Sequence, residues 1–273
     1  MSERHWLVNS YLKRLSAALE KSQLCVGIDP SETELESFSL PDSSVGARDY
    51  ALKIIEAAAD RVALIKPQVA YFERFGSAGY FALEEVYAEA RAAGFMIISD
   101  AKRGDIGSTL VGYSQAWFGD DSPLRSDALT LSPYLGTDSL TELLGYARDV
   151  NAGVFLLAAT SNPEAAQLQQ AKRGTKSVSQ LVIEGARALG EDTGVVIGAT
   201  QDLEKFGIAE LQRTDIKIPI LAPGFGYQGA QLADLKKIFG ASSKRVLASV
   251  SRAITKAGPE KLAQQIDKAK LEL

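Results

Sequence analysis

The residues best equipped for chemistry lie in one stretch, Asp100-Ala101-Lys102-Arg103-Gly104-Asp105, directly after the apolar run Phe95-Met96-Ile97-Ile98. A strand that ends here sends residues two apart to the same side, so Asp100 and Lys102 share a face. Asp105 follows a glycine that permits a tight turn. A second lysine, Lys66, stands near the end of another apolar run and can reach the same place. Alternating ammonium and carboxylate groups favour each other's charged forms. Lys102 would then be a positioned, protonated acid. The same four residues could instead be ion pairs closing one end of a fold, and spacing alone leaves both readings open.

Composition removes the usual rivals for catalysis. The 273-residue chain has one histidine and one cysteine. His5 sits in a polar N-terminal segment, which disfavours histidine-based triads and histidine-rich metal sites. Cys25, inside Leu24-Cys25-Val26-Gly27-Ile28, reads as a buried strand residue. An intrachain disulfide or a thiolate metal cluster is impossible with one thiol. Acid–base chemistry must come from Lys, Asp, Glu or Tyr. The formal net charge of −4 gives no basic surface for nucleic acid, although a few local cations suffice for a phosphate. The first residues carry charge, and no apolar run approaches membrane-spanning length. A cytoplasmic protein with no nucleic-acid or membrane partner is expected.

The elements that must position these residues alternate along the whole chain. Short apolar runs predict strands at residues 24–29, 63–68, 96–101, 128–132, 153–160, 194–200, 218–225 and 245–251. Their cores are almost continuously apolar, as in Val154-Phe155-Leu156-Leu157-Ala158, which suits strands buried on both faces of a parallel sheet. Helical spacing appears at 45–61, 77–93, 140–148, 177–189, 203–212, 228–239 and 259–269, with an additional helix at 6–21 before the first strand. Residues 31–44 read as an excursion after strand 1. Eight strand–helix units close naturally into a barrel, so the expected fold is α/β, a (β/α)8 TIM barrel with an extra N-terminal helix, in one domain over 1–273. A doubly wound open sheet is the alternative, weakened by the lack of Gly-x-Gly-x-x-Gly after the first strand.

A barrel of this kind builds its site at the C-terminal ends of its strands. Those ends hold Asp29, Lys66, Asp100 with Lys102, Ser132, Thr160-Ser161-Asn162, Pro223-Gly224-Phe225-Gly226-Tyr227-Gln228 and Ser251-Arg252. The loops after strands 7 and 8 are where barrels often hold phosphate. Gln228 and the guanidinium of Arg252 suit that task.

The stretch from Asp100 to Asp105 resembles the Asp-x-Lys-x-x-Asp signature of the orotidine 5′-monophosphate decarboxylase family. Its longer form, Ala-Lys-Arg-Gly-Asp-Ile-Gly, resembles the type 2 subfamily, as do Ile65-Lys66-Pro67-Gln68, Ser132-Pro133-Tyr134-Leu135-Gly136 and Ala159-Thr160-Ser161-Asn162-Pro163. The resemblance covers essentially the whole chain. It implies decarboxylation of orotidine 5′-monophosphate to uridine 5′-monophosphate, the last step of de novo UMP biosynthesis, with no cofactor and no metal. Lys66, Asp100, Lys102 and Asp105 would form the charged tetrad, with Lys102 protonating C6 and Asp100 beside the departing carboxylate. Asp29 and Lys66 would bind ribose hydroxyls and Ser161 the pyrimidine. Gln228 and Arg252 would hold the phosphate. The resemblance also implies a homodimer in which Asp105 and Thr109 enter the partner's site. Ala253 departs from the pattern, since a glycine often follows this arginine, and Tyr227 is left outside the site. The rival readings are a metal-dependent sugar-phosphate decarboxylase or aldolase of the same superfamily, a Schiff-base aldolase using Lys66 or Lys102, and a non-catalytic sensor of a phosphorylated ligand.

Overall fold

Near-continuous apolar strands need cover on both faces, and here a closed barrel supplies it. The computed structural model describes residues 11–273. Its barrel strands are β1 (Leu24–Ile28), β2 (Leu64–Pro67), β3 (Met96–Arg103), β4 (Ala128–Leu131), β5 (Gly153–Ala159), β6 (Thr193–Ile197), β7 (Ile220–Ala222) and β8 (Val246–Val250). Each pairs in parallel with the next, and β8 returns to β1 with Leu24 opposite Ala248. The architecture is the expected (β/α)8 barrel.

Strand alternation divides the core in two. Outward residues such as Val26, Ile65, Ile97, Val154 and Ile220 meet the surrounding helices. Inward residues, among them Cys25, Leu64, Met96, Ala128, Phe155, Leu221 and Leu247, form a separate interior cluster. The helix Tyr11–Lys21 closes the bottom of that cluster with Tyr11, Leu15 and Ala18. Gly153 is required there, because a Cβ at this position would overlap the Tyr11 ring. Followed upward by twos, the same inward rows become polar: Leu64 leads to Lys66, Ile98 to Asp100, Ala128 to Thr130 and Leu247 to Ser249. One period thus builds an apolar floor and a charged mouth.

Several helices differ from the sequence expectation. The helix Gly107–Phe118, between β3 and β4, was not anticipated. Its sequence, GSTLVGYSQAWF, has no charged residue, so it lacks the alternation of charge and apolar residue that marks an amphipathic helix. The span 203–212 is mostly turn, with a helix only at Glu210–Arg213. The span 228–239 is helical only from a 3₁₀ turn at Leu232–Asp234 into Leu235–Phe239. Gly207 and Gly229 adopt positive φ in these segments and interrupt the predicted helices. Within the excursion 31–44, Ser31 caps the short helix Glu32–Ser37 by accepting the Glu34 N–H. The helix expected at 6–21 is described from Tyr11 onward, and His5 lies outside the described residues.

Candidate active site

The strand ends surround a cavity of about 430 Å³ at the C-terminal mouth of the barrel. Asp100 is its electrostatic centre. The side chain is almost wholly buried, and its carboxylate accepts four hydrogen bonds, two on each oxygen. Lys66 Nζ donates to Oδ2 at 2.8 Å and Gln68 Nε2 at 3.1 Å. Lys102 Nζ donates to Oδ1 at 2.6 Å and the Thr130 hydroxyl at 3.0 Å. Burial alone opposes ionisation of Asp100. The Lys66 and Lys102 ammonium groups outweigh it and hold the carboxyl well below its usual range. Burial likewise opposes the charge on Lys66, but Asp100 and Asp29 reverse the balance and raise its pKa. The two ammonium groups of Lys66 and Lys102 thus face the cavity beside the carboxylates of Asp100 and Asp29. Beneath it, burial pushes the Cys25 thiol up to about 12, which makes it a core residue and not a nucleophile.

Asp100 and Lys102 do share a face, but not through regular strand alternation. β3 leaves register with β4 between Ser99 and Arg103. Lys102 adopts φ +50°, a conformation that costs a non-glycine residue on the order of 1–3 kcal/mol. The backbone is therefore bulged at the lysine, and the bulge turns Nζ back over the carboxylate. Arg103 then points away from the cavity. Its guanidinium pairs with Glu73, donates to Tyr80 Oη at 3.2 Å and stacks over Trp117 at 5.6 Å. These contacts anchor the end of β3 to the outer helices.

Gln68 was not singled out from sequence as a site residue. It receives Lys102 Nζ on Oε1 at 3.1 Å while donating to Asp100, so its amide closes a ring with both. It stands two residues beyond Lys66 on the same inward row, and that period is the signal that would have found it. Two further glutamines hold the loop after β5. Gln169 accepts the Thr160 N–H at 2.8 Å, and Gln201 donates to the Thr160 carbonyl at 2.7 Å. Sequence offers no local sign of either: Gln169 ends the short helix Ala165–Gln169 nine residues on, and Gln201 comes from the loop after β6.

The remaining expected residues divide into two sets. Asp29, Ser161, Gln228 and Arg252 line the cavity. Asp29 Oδ1 is buried without a hydrogen-bond partner, which suits a ligand hydroxyl. The Arg252 guanidinium lies over the Tyr227 ring at 3.9 Å, and Tyr227 also borders the cavity. The Cβ of Ala253 faces Gly226, where a Cβ would come within 2.5 Å of it. Gly226 thus makes room for the alanine, whose side chain is directed away from the cavity. Asp105 and Thr109 are the second set. Asp105 Oδ1 accepts the Ile106 N–H at 2.8 Å, and neither residue lines the cavity of its own chain.

Comparison with known proteins agrees over the full barrel. The family model for the orotidine 5′-phosphate decarboxylase / HUMPS family matches residues 22–266. The chain is 46% identical to the orotidine 5′-phosphate decarboxylase of Streptomyces coelicolor over 257 residues, 90% of each chain. It is 45% identical to that of Corynebacterium glutamicum over 262 residues, 91% of each chain. Among solved structures, a Streptomyces avermitilis protein assigned the same activity superposes with a TM-score of 0.90 at 41% identity, covering 100% of this chain and 97% of the other. The Leishmania donovani OMP decarboxylase gives a TM-score of 0.75 at 29% identity, covering 96% and 99%.

Proposed function

The chain belongs to the orotidine 5′-phosphate decarboxylase family, and from that premise we propose how its residues carry out the reaction. The protein is a carboxy-lyase that converts orotidine 5′-monophosphate to uridine 5′-monophosphate and CO2 in pyrimidine biosynthesis. The observation that carries the mechanism is the Asp100 carboxylate held between Lys66 and Lys102 at the cavity wall. The bond from C6 to the carboxylate breaks and its electron pair stays on C6. Lys102 Nζ stabilises that carbanion with fixed positive charge, then transfers a proton to it, giving the product C6–H. The neutral amine regains its proton from solvent. Asp100 keeps Lys102 charged and aimed, and stands beside the departing carboxylate. Asp29 and Lys66 bind ribose hydroxyls, and Ser161 contacts the pyrimidine. Gln228 and Arg252 take the phosphate, whose binding energy is used to order the site far from C6.

The rival chemistries fit this geometry less well. Relatives that hold Mg2+ carry, by family resemblance, a carboxylate where this chain has Lys66, and an ammonium beside Asp100 repels a cation. A Schiff base needs a neutral amine, whereas Asp100 and Asp29 raise the pKa of Lys66 against the pull of burial. The direct test is orotidine 5′-monophosphate with a chelator present, following loss of the orotate absorbance. Turnover is expected to be the same with and without chelator. No turnover, or turnover that a chelator stops and Mg2+ restores, would reject the assignment.

We place the chain in the type 2 subfamily on the Ala101-to-Gly107 pattern, as one catalytic domain working in the cytoplasm, where its charged substrate would be made. It acts as a homodimer, Asp105 and Thr109 completing the partner's site and joining its tetrad and ribose contacts. Supporting this, Ile106 and Val111 are exposed next to Asp105 and Thr109 in the chain, Tyr134 and Leu135 are exposed after β4, and neither Asp105 nor Thr109 lines the cavity of its own chain. Lys102→Ala and Asp105→Ala should each be inactive alone. Refolded together, they should recover about a quarter of wild-type activity, because half the dimers are mixed and each mixed dimer has one intact site. Mixtures no more active than the single variants would remove Asp105 from the neighbour's site.

A further inference from the structure

We propose that Thr130, on β4, is the positioning residue of this site: one hydroxyl fixes both the Asp100 carboxylate and the backbone of Lys102, and so sets where the proton-donating Nζ points. The proposal rests on the roles given above to Asp100 and Lys102.

The need for such a residue comes from the bulge. Ser99 pairs with Leu129 and Arg103 with Leu131, so β3 spends four residues where β4 spends two. Thr130 is the β4 residue opposite the surplus. A backbone that leaves the ladder loses its usual carbonyl partner, and the freed N–H still requires an acceptor. The Lys102 N–H finds one in Thr130 Oγ1 at 2.9 Å. The single hydroxyl proton then goes to Asp100 Oδ1 at 3.0 Å. The Ser99 carbonyl, at 3.5 Å, is too far to compete. Donor and acceptor directions are both fixed. Thr130 itself is fully buried, and its β-branched side chain has little rotamer freedom in a strand.

The Lys102 side chain, by contrast, is 44% exposed. Few neighbours pack around it. The position of Nζ is therefore governed by its backbone, by Asp100 and by the Gln68 amide. Thr130 holds two of those three. A valine would fill the same space but could make neither hydrogen bond.

The test compares steady-state decarboxylation by Thr130→Val, Thr130→Ser and Thr130→Cys, with circular dichroism and calorimetric binding of uridine 5′-monophosphate as folding controls. Thr130→Val should lose on the order of 10²-fold in kcat, the scale of a small misplacement of a reacting group. Its KM should move by less than about threefold, because ribose and phosphate contacts are made elsewhere. Thr130→Ser keeps the hydroxyl and should restore most of kcat, with Thr130→Cys, a weak donor and acceptor, falling between Ser and Val. A folded Val variant with wild-type kcat, a loss confined to KM, or a Ser variant as slow as Val overturns the proposal. If Val does not fold, Ser and Cys carry the test, and equal kcat for these two overturns it. Failure of the underlying mechanism looks different: wild-type protein would not decarboxylate the substrate, or Lys102→Ala would remain active.

Discussion

Lys102→Ala is expected to reduce kcat for orotidine 5′-monophosphate by on the order of 10⁴-fold or more, since it removes both the proton donor and the cation facing the carbanion. Neither Lys66 nor Arg103 can substitute. Lys66 is committed to the other oxygen of Asp100, and Arg103 is turned outward to Glu73 and Tyr80. The fold should survive, because the Lys102 side chain is nearly half exposed and its ion pair with Asp100 contributes modestly. Binding of uridine 5′-monophosphate should therefore remain measurable through Asp29, Gln228 and Arg252. Single-turnover assays alongside calorimetry separate the two properties. Near-normal turnover in this variant would end the case for Lys102.

Asp100→Ala should have the largest effect on stability, about 3–5 kcal/mol, the scale of removing one partner from a buried ion pair. Lys66 is only 6% exposed and would be left as a buried cation with its principal counterion gone. The Thr130 hydroxyl would lose its acceptor as well. The pH dependence should change sign on the alkaline side. In the wild type, Asp100 lies below its unfolded pKa and Lys66 above. The Asp100 contribution is thus present above about pH 4 and lost as pH falls through the folded value. The Lys66 contribution is full below about pH 10 and lost as pH rises through its own folded value. Stability from this pair should be flat between those limits. In the variant, burial is no longer opposed by Asp100 and depresses Lys66. The unfolded state then binds more protons than the folded state, and stability should rise with pH below about 10. Urea unfolding at several pH values from 6 to about 9 reads both the loss and the slope. A variant as stable as the wild type with no added slope would show that Lys66 escapes to solvent.

Much of the site was legible because strand alternation is a local property. Asp29, Lys66 and Asp100 sit where an inward row runs out of its apolar stretch, and a scarcity of histidine and cysteine leaves lysine and carboxylate to do the work. The barrel followed from the repetition of buried strand and intervening helix. The helix Gly107–Phe118 was missed because a helix without charges carries no amphipathic signature.

The grouping of Lys66, Asp100 and Lys102, the place of Gln228 and Arg252 at the last two strand ends, and the eight-strand count were therefore legible in the sequence alone. Only the tertiary structure decided how Lys102 reaches Asp100, which is through a bulge at φ +50° and not through the two-residue period. It also decided that Thr130 and Gln68 hold that pair. The reason is physical: period along a strand chooses the face a side chain occupies, but its distance from a partner on another strand depends on register and barrel closure, which no single stretch of chain contains.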